Sequence, residues 1–108
     1  MKTISLLTDI EECNGKVGAY IGCYVDDESR DLKQGPKQYG YNQGTCNTAC
    51  PDYLFYALQD NGWCVCGNNY STKPKYVKRP DSECGGFYGL GRHQRNSIYV
   101  TCSDSKGR

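Results

Sequence analysis

The residues that usually build a protein core are scarce here. There are one methionine, one tryptophan and two phenylalanines among 108 residues, and much of the 37% hydrophobic fraction is tyrosine and cysteine. A single domain of this length then has a thin apolar interior and needs stabilisation from elsewhere. No apolar run approaches the ~20 residues of a membrane span. An excess of one charge is also missing: 13 basic residues face 12 acidic ones, without five like charges in a row, which speaks against nucleic acid or an anionic membrane surface as partner. The densest basic stretch, Lys73, Lys75, Lys78 and Arg79, contains Pro74 and runs into Pro80, and reads as a solvated loop. A secretory leader is not visible either. Met1 to Leu7 begins like one, but Asp9, Glu11 and Glu12 end the apolar stretch short of the ~7 to 15 residues of an h-region. The expectation is a mature sequence behind a starting methionine.

Histidine is reduced to His93, in the polar segment Gly91 to Asn96. A serine- or cysteine-type hydrolase needs a nucleophile, a base and an orienting group, and a single loop histidine does not supply them. Asp26, Asp27, Glu28 and Asp31 crowd one short segment, whereas glycosidase acids flank a substrate across a cleft. The same acids lack the Asp-x-Asp-x-Asp-Gly spacing of a calcium loop and read instead, with Arg30, as a turn network. No catalytic residue, metal or cofactor is expected.

Cysteine is what the chain has in abundance, with eight. The even count favours disulfides, and disulfides place the protein in an oxidising, extracytosolic compartment. The middle four are written Cys46-x-x-x-Cys50 and Cys64-x-Cys66. Positions four apart share a helix face and positions two apart share a strand face, so these pairs suit a helix stapled twice to a strand. Zinc is the poorer reading, because the short Cys-x-x-Cys knuckle is lacking and only one histidine is available.

Ala19 to Asp26 reads as a first strand, and residues 33 to 44, with Gly35, Pro36, Gly40 and Gly44, as loop. Thr45 is expected to cap a short helix that Pro51 ends after Cys50. Tyr53 to Gln59 and Trp63 to Gly67 flank Asp60-Asn61-Gly62 and form a hairpin, since an Asn-Gly step suits positive φ angles. Residues 68 to 96 read as loop, Ser97 to Thr101 as a last strand, and Ser103 to Arg108 as a disordered tail.

Gly22-Cys23-Tyr24-x-Asp26, Arg30-Asp31-Leu32, Cys46-x-x-x-Cys50, Trp63-Cys64-x-Cys66-Gly67-Asn68, Cys84-Gly85-Gly86 and Arg95-Asn96-Ser97-x-Tyr99 together resemble a WSC domain over about residues 20 to 101. Such domains are extracellular cysteine-rich modules of fungal cell-wall stress sensors, of some secreted carbohydrate-active enzymes and of Kremen-type receptors. The resemblance implies a PAN/apple-like α+β fold, a short antiparallel sheet carrying one short helix, and a carbohydrate-binding role. It implies the pairings Cys46–Cys64, Cys50–Cys66 and Cys23–Cys84. A further cysteine pair common in the family is missing from Lys73 to Ser82, while Cys13 and Cys102 lie outside the matching core and are expected to form a fourth bridge between the termini. The organisation is then an N-terminal extension 1–18, a WSC-like domain 19–102 and a tail 103–108.

Ten tyrosines and Trp63, interleaved with amide side chains, supply the flat apolar faces and fixed polar groups that sugar recognition needs. Tyr24, Phe55, Trp63 and Tyr99 sit at strand positions and are expected in the core. Tyr39, Tyr41, Tyr70, Tyr76 and Tyr88 lie in loops and are expected to be exposed. The ligand site is placed around the hairpin turn and the 88–96 loop: Asp60, Asn61, Trp63, Tyr88, Arg92, His93, Arg95 and Asn96. Arginine and histidine there suit acidic or sulfated glycans. Asn69-Tyr70-Ser71 is an N-glycosylation sequon. The leading expectation is a secreted, non-enzymatic, lectin-like module whose partner is a glycan or a cell-wall or matrix polysaccharide. The alternative is an extracellular structural or adhesive subunit that self-associates or binds a matrix polymer.

Overall fold

A computed structural model describes residues 17–102. Six strands, β1 (Tyr20–Val25), β2 (Gln34–Gln38), β3 (Phe55–Gln59), β4 (Trp63–Gly67), β5 (Lys78–Arg79) and β6 (Arg95–Val100), form one antiparallel sheet in the order β2-β4-β3-β6-β1-β5. Helix α1 (Gln43–Ala49) lies on one face, and a short 3-10 helix covers Asp81–Cys84.

The cysteine spacing produces the double staple. Cys46–Cys64 and Cys50–Cys66 join α1 to β4, and Cys23–Cys84 ties β1 to the 3-10 helix. These are the three disulfides among the described residues; the expected Cys13–Cys102 bridge lies outside them, as do the extension 1–16 and the tail 103–108. The sulfurs of Cys46, Cys50 and Cys64 lie within 4.8 Å of one another, but they are engaged in these bonds.

Strand alternation sorts the interior into two layers. Beneath α1 lie Tyr56, Leu58, Tyr99 and the four staple cysteines, with the Tyr56 and Tyr99 rings stacked 4.7 Å apart. Tyr56 donates to the Val17 carbonyl and Tyr99 to the Gly89 carbonyl at 2.8 Å, so each phenol keeps a partner at the edge of the layer. On the opposite face Leu32, Ala57, Val65 and Ile98 form a smaller cluster, flanked by Tyr24, Phe55, Trp63 and Tyr70. Asn47 on the inner side of α1 clamps the backbone after β6: its amide donates to the Cys102 carbonyl at 2.6 Å and accepts from the Cys102 N–H at 2.7 Å.

Several local expectations need correction. The helix is capped by Asn42, not Thr45; Thr45 is the third helical residue, and the two form a reciprocal capping box with both bonds at 2.9 Å. The 33–44 segment is not all loop, because Gln34–Gln38 pairs with β4 as an edge strand, broken by a register shift. Lys78 and Arg79, within the expected loop, pair with β1. The last strand begins at Arg95, two residues before the expected Ser97. Tyr76 is buried rather than exposed, with its hydroxyl donating to Asp27 at 2.8 Å.

Candidate functional site

The β3–β4 turn is built from residues that accept left-handed backbone. Asp60, Asn61 and Gly62 have φ of 49°, 64° and 131°, and the turn brings Gln59 opposite Trp63 on the same sheet face. The turn is docked on the loop before β6, since the N–H groups of Asp60 and Asn61 donate to the carbonyls of Arg92 and Gly91 at 2.9 and 3.1 Å. Gly91, at φ 80°, passes so close to β3 that a Cβ there would lie 2.1 Å from the Leu58 carbonyl oxygen. The hairpin turn and the 88–96 loop therefore act as one rim.

The 26–32 segment closes over the same face. Asp26, 1% exposed, accepts from the Asp31 N–H at 2.8 Å, from Gln59 Nε2 at 2.5 Å and from Arg30 Nη1 at 3.2 Å. Asp31 accepts from the Ser71 and Thr72 backbones and from the Thr72 hydroxyl, and Asp27 from Lys75 and Tyr76. Asp26, Asp27 and Asp31 thus face separate donors, and Asp26, Arg30 and Asp31 form the expected turn network. Arg30 has a φ of 63°, a strained value for a side-chain-bearing residue, and its guanidinium lies over the Trp63 ring at 4.6 Å from the centroid.

Between these loops lies a cleft of about 200 Å³, lined by Glu28, Arg30, Tyr39, Gln59, Asp60, Trp63, His93 and Gln94. Tyr39 is 62% exposed and donates its hydroxyl to Asp60 Oδ2, a bond that holds its phenol above the usual titration range. Asp26 faces the Arg30 guanidinium, leaving Glu28 and Asp60 as the cleft's uncompensated charges. A shallower cleft of about 360 Å³ lies at the far end of the hairpin, between Leu32, Lys33, Tyr53, Gly67, Asn68 and Asn69.

Of the eight residues proposed from sequence, Asp60, Trp63 and His93 line the first cleft. Asn61 is exposed at the turn. Asn96 has no exposure; it sits behind the cleft wall and accepts from Gln59 Nε2 at 3.1 Å. Arg95 is held by Glu83 at 2.8 Å, and Arg79 and Arg95 together bring the Glu83 carboxyl down to about 2. Arg92 is exposed and packs against Gly85, while Tyr88 joins the ring cluster of Tyr20, Phe87 and Tyr99. Sequence reasoning missed Glu28, Arg30, Gln59 and Gln94 as cleft residues, while Tyr39, an exposed loop tyrosine suited to ligand contact, does line it. Gln59 was accessible to it, because a three-residue turn places Gln59 directly across from Trp63. Trp63 itself is half-buried, consistent with a position between core and rim.

The arrangement offers aromatic faces, two carboxylates, two amides and an imidazole around a small polar hollow, without a nucleophile placed against a base. No helix among the described residues is long and apolar enough to cross a membrane. Residues 20–89 match the family model of the WSC domain, which spans more than half of the chain, and the chain belongs to the WSC domain family.

Proposed function

We propose that the protein is a secreted, non-enzymatic carbohydrate-binding module, and that the cleft at the β3–β4 turn is its site. The observation that carries the reading is the meeting of aromatic side chains, Trp63 and Tyr39, with the polar side chains of Glu28, Asp60, His93 and Gln94 around one cleft, over a floor that Gln59 closes through its bonds to Asp26, Arg30 and Asn96. Flat rings accept the C–H face of a pyranose, and convergent hydrogen-bonding groups select its hydroxyls. A hollow of about 200 Å³ suits one or two sugar units at a chain end or a bend.

The charge balance alters the expected ligand class. Arg95 is engaged by Glu83 and Arg30 by Asp26, so the cleft's free charges are those of Glu28 and Asp60. Like charge repels sulfated and uronic-acid glycans, and the reading is of neutral or amino sugars. Titration calorimetry of the oxidised protein against neutral, amino and sulfated oligosaccharides tests this. Binding of the neutral or amino set, weakened in Trp63→Ala, supports it. Selective binding of the sulfated set, or no binding at millimolar sugar, contradicts it.

The self-associating alternative finds little support at the sheet edges. β2 is interrupted by Pro36 and a register shift, and β5 is two residues of exposed Lys78 and Arg79, features that block strand addition.

A further inference from the structure

A second feature lies outside the cleft. Phe87 is 72% exposed, more than any other large hydrophobic side chain among the described residues. A single exposed apolar residue is ordinary, but this one is held in place by unusual means. Tyr20 and Tyr88 pack edge-on against it at 5.2 and 4.6 Å between centroids, at interplanar angles of 81° and 72°. Those tyrosines are fixed in turn, Tyr20 by a hydroxyl bond to Asp81 at 2.8 Å and Tyr88 by a carbonyl that accepts from Gln43 at 2.7 Å.

The backbone that presents the ring is costly. Gly85, Gly86 and Tyr88 all have left-handed φ, of 89°, 102° and 59°, and only the first two are glycine. The loop is closed by bonds from the N–H groups of Gly86, Gly89 and Gly91 to the carbonyls of Asp81, Gly86 and Cys84, and is anchored by Cys23–Cys84. Because Gly85 has no Cβ, the Arg92 guanidinium can lie against it; a Cβ would sit 2.7 Å from Nη1. Arg92 has no carboxylate partner among the described residues, and the next residue, His93, lines the cleft.

From this we infer that Phe87, buttressed by Tyr20 and Tyr88, is a second sugar-contacting platform, separate from the cleft, that stacks on a pyranose ring of a polysaccharide. The inference rests on the carbohydrate-binding reading. The occupant follows from area: one ring at this exposure offers roughly 150 Å², which matches one face of a sugar unit, whereas a stable protein interface needs about 800 Å² per partner. Tyr20 and Tyr88 pack on the α1 side of the sheet while Trp63 packs on the opposite face, so the platform contacts a polymer independently of the cleft.

The test uses the oxidised chain, with β-glucan and chitin tetrasaccharides and the corresponding insoluble polymers as probes. In Trp63→Ala, where the cleft is weakened, the tetrasaccharide that binds the wild type still shifts the NMR signals of Phe87, Tyr20 and Tyr88. In Trp63→Ala/Phe87→Ala it does not. Phe87→Ala alone weakens polymer binding up to about ten-fold, the worth of one aromatic contact, and Phe87→Tyr keeps it, with circular dichroism reporting the fold of each variant. If wild type and Phe87→Ala bind polymer equally while Trp63→Ala binds it more weakly, the platform is refuted and the cleft stands. If the wild type binds no probe, the carbohydrate reading and the platform fail together. If the wild type sediments as a dimer and Phe87→Ala as a monomer, the ring is a protein interface and the inference is overturned.

Discussion

Asp26 joins the stability of the fold to the shape of the cleft, and replacing it tests both. In Asp26→Ala three donors lose their acceptor: the Asp31 N–H, Gln59 Nε2 and Arg30 Nη1. Arg30 is partly exposed and recovers water, and Gln59 keeps Asn96 Oδ1 at 3.1 Å. The Asp31 N–H is left buried without a partner. At about 1–3 kcal/mol for a buried orphan, the expected loss is about 1–3 kcal/mol. For a domain of this size that corresponds to a fall in Tm of roughly 5–20 °C. Asp26→Asn is the sharper variant. Its Oδ1 still serves the Asp31 N–H, but its NH₂ meets the donors of Gln59 and Arg30, so it is destabilised too although nothing is removed in volume. Guanidinium titration followed by the fluorescence of Trp63, the sole tryptophan, reads stability and environment together. Release of Arg30 from the indole also changes the native emission. A loss below ~1 kcal/mol for both variants would refute the assignment of Asp26 as the acceptor that holds the 26–32 segment down.

Other consequences follow from the staples, the rim and the surface ion pairs. Cys23–Cys84 closes a loop of 61 residues and the α1 staples loops of 18 and 16; at about 4 kcal/mol for the first and about 3 for each of the others, full reduction unfolds the domain, and native-like near-UV dichroism after reduction would contradict this. Gly91→Ala forces a Cβ into the Leu58 carbonyl and undocks the rim, so it costs several kcal/mol, on the order of 3 or more, in denaturant melts, whereas Gly40→Ala, with open space at its Cβ, costs only the strain of its φ of 96°, about 1–2 kcal/mol. Asp27 is lowered to about 2 from 3.8 by its bonds to Lys75 and Tyr76, and Glu83 to about 2 from 4.5 by Arg79 and Arg95. Folded pKa values below the unfolded ones mean that these groups stabilise above about pH 4.5 and lose that contribution as pH falls towards 2. Acid titration of the melting midpoint should therefore fall less steeply in Glu83→Gln, and raised salt should shrink the difference because the pairs are exposed.

Legibility in the sequence followed the range of the interaction. Cys46, Cys50, Cys64 and Cys66 encode faces by spacing, and Asp60-Asn61-Gly62 encodes a turn by backbone preference, so both were readable. β2 was not, because Gln-Gly-Pro-Lys-Gln has little strand preference and pairs only through contacts with Cys64 and Cys66. Tyr76 looked exposed among lysines and prolines, but Asp27, 49 positions away, takes its hydroxyl inward. At the site, residues near the turn and the exposed Tyr39 are legible, while Glu28 and Arg30 are not, because they reach the cleft only when the 26–32 segment folds over the sheet. Asn96 was read as a loop residue; a strand starting at Arg95 puts it opposite Tyr24 and into the interior.

The central claim, a sugar site at the β3–β4 turn, is tested most directly by an NMR titration of the oxidised, isotope-labelled protein with neutral and amino oligosaccharides. The account predicts saturable shifts at the Trp63 indole N–H and at Tyr39, Gln59, Asp60, His93 and Gln94, which Trp63→Ala weakens. Shifts confined to the Lys33–Asn69 cleft, or none at millimolar sugar, would contradict it.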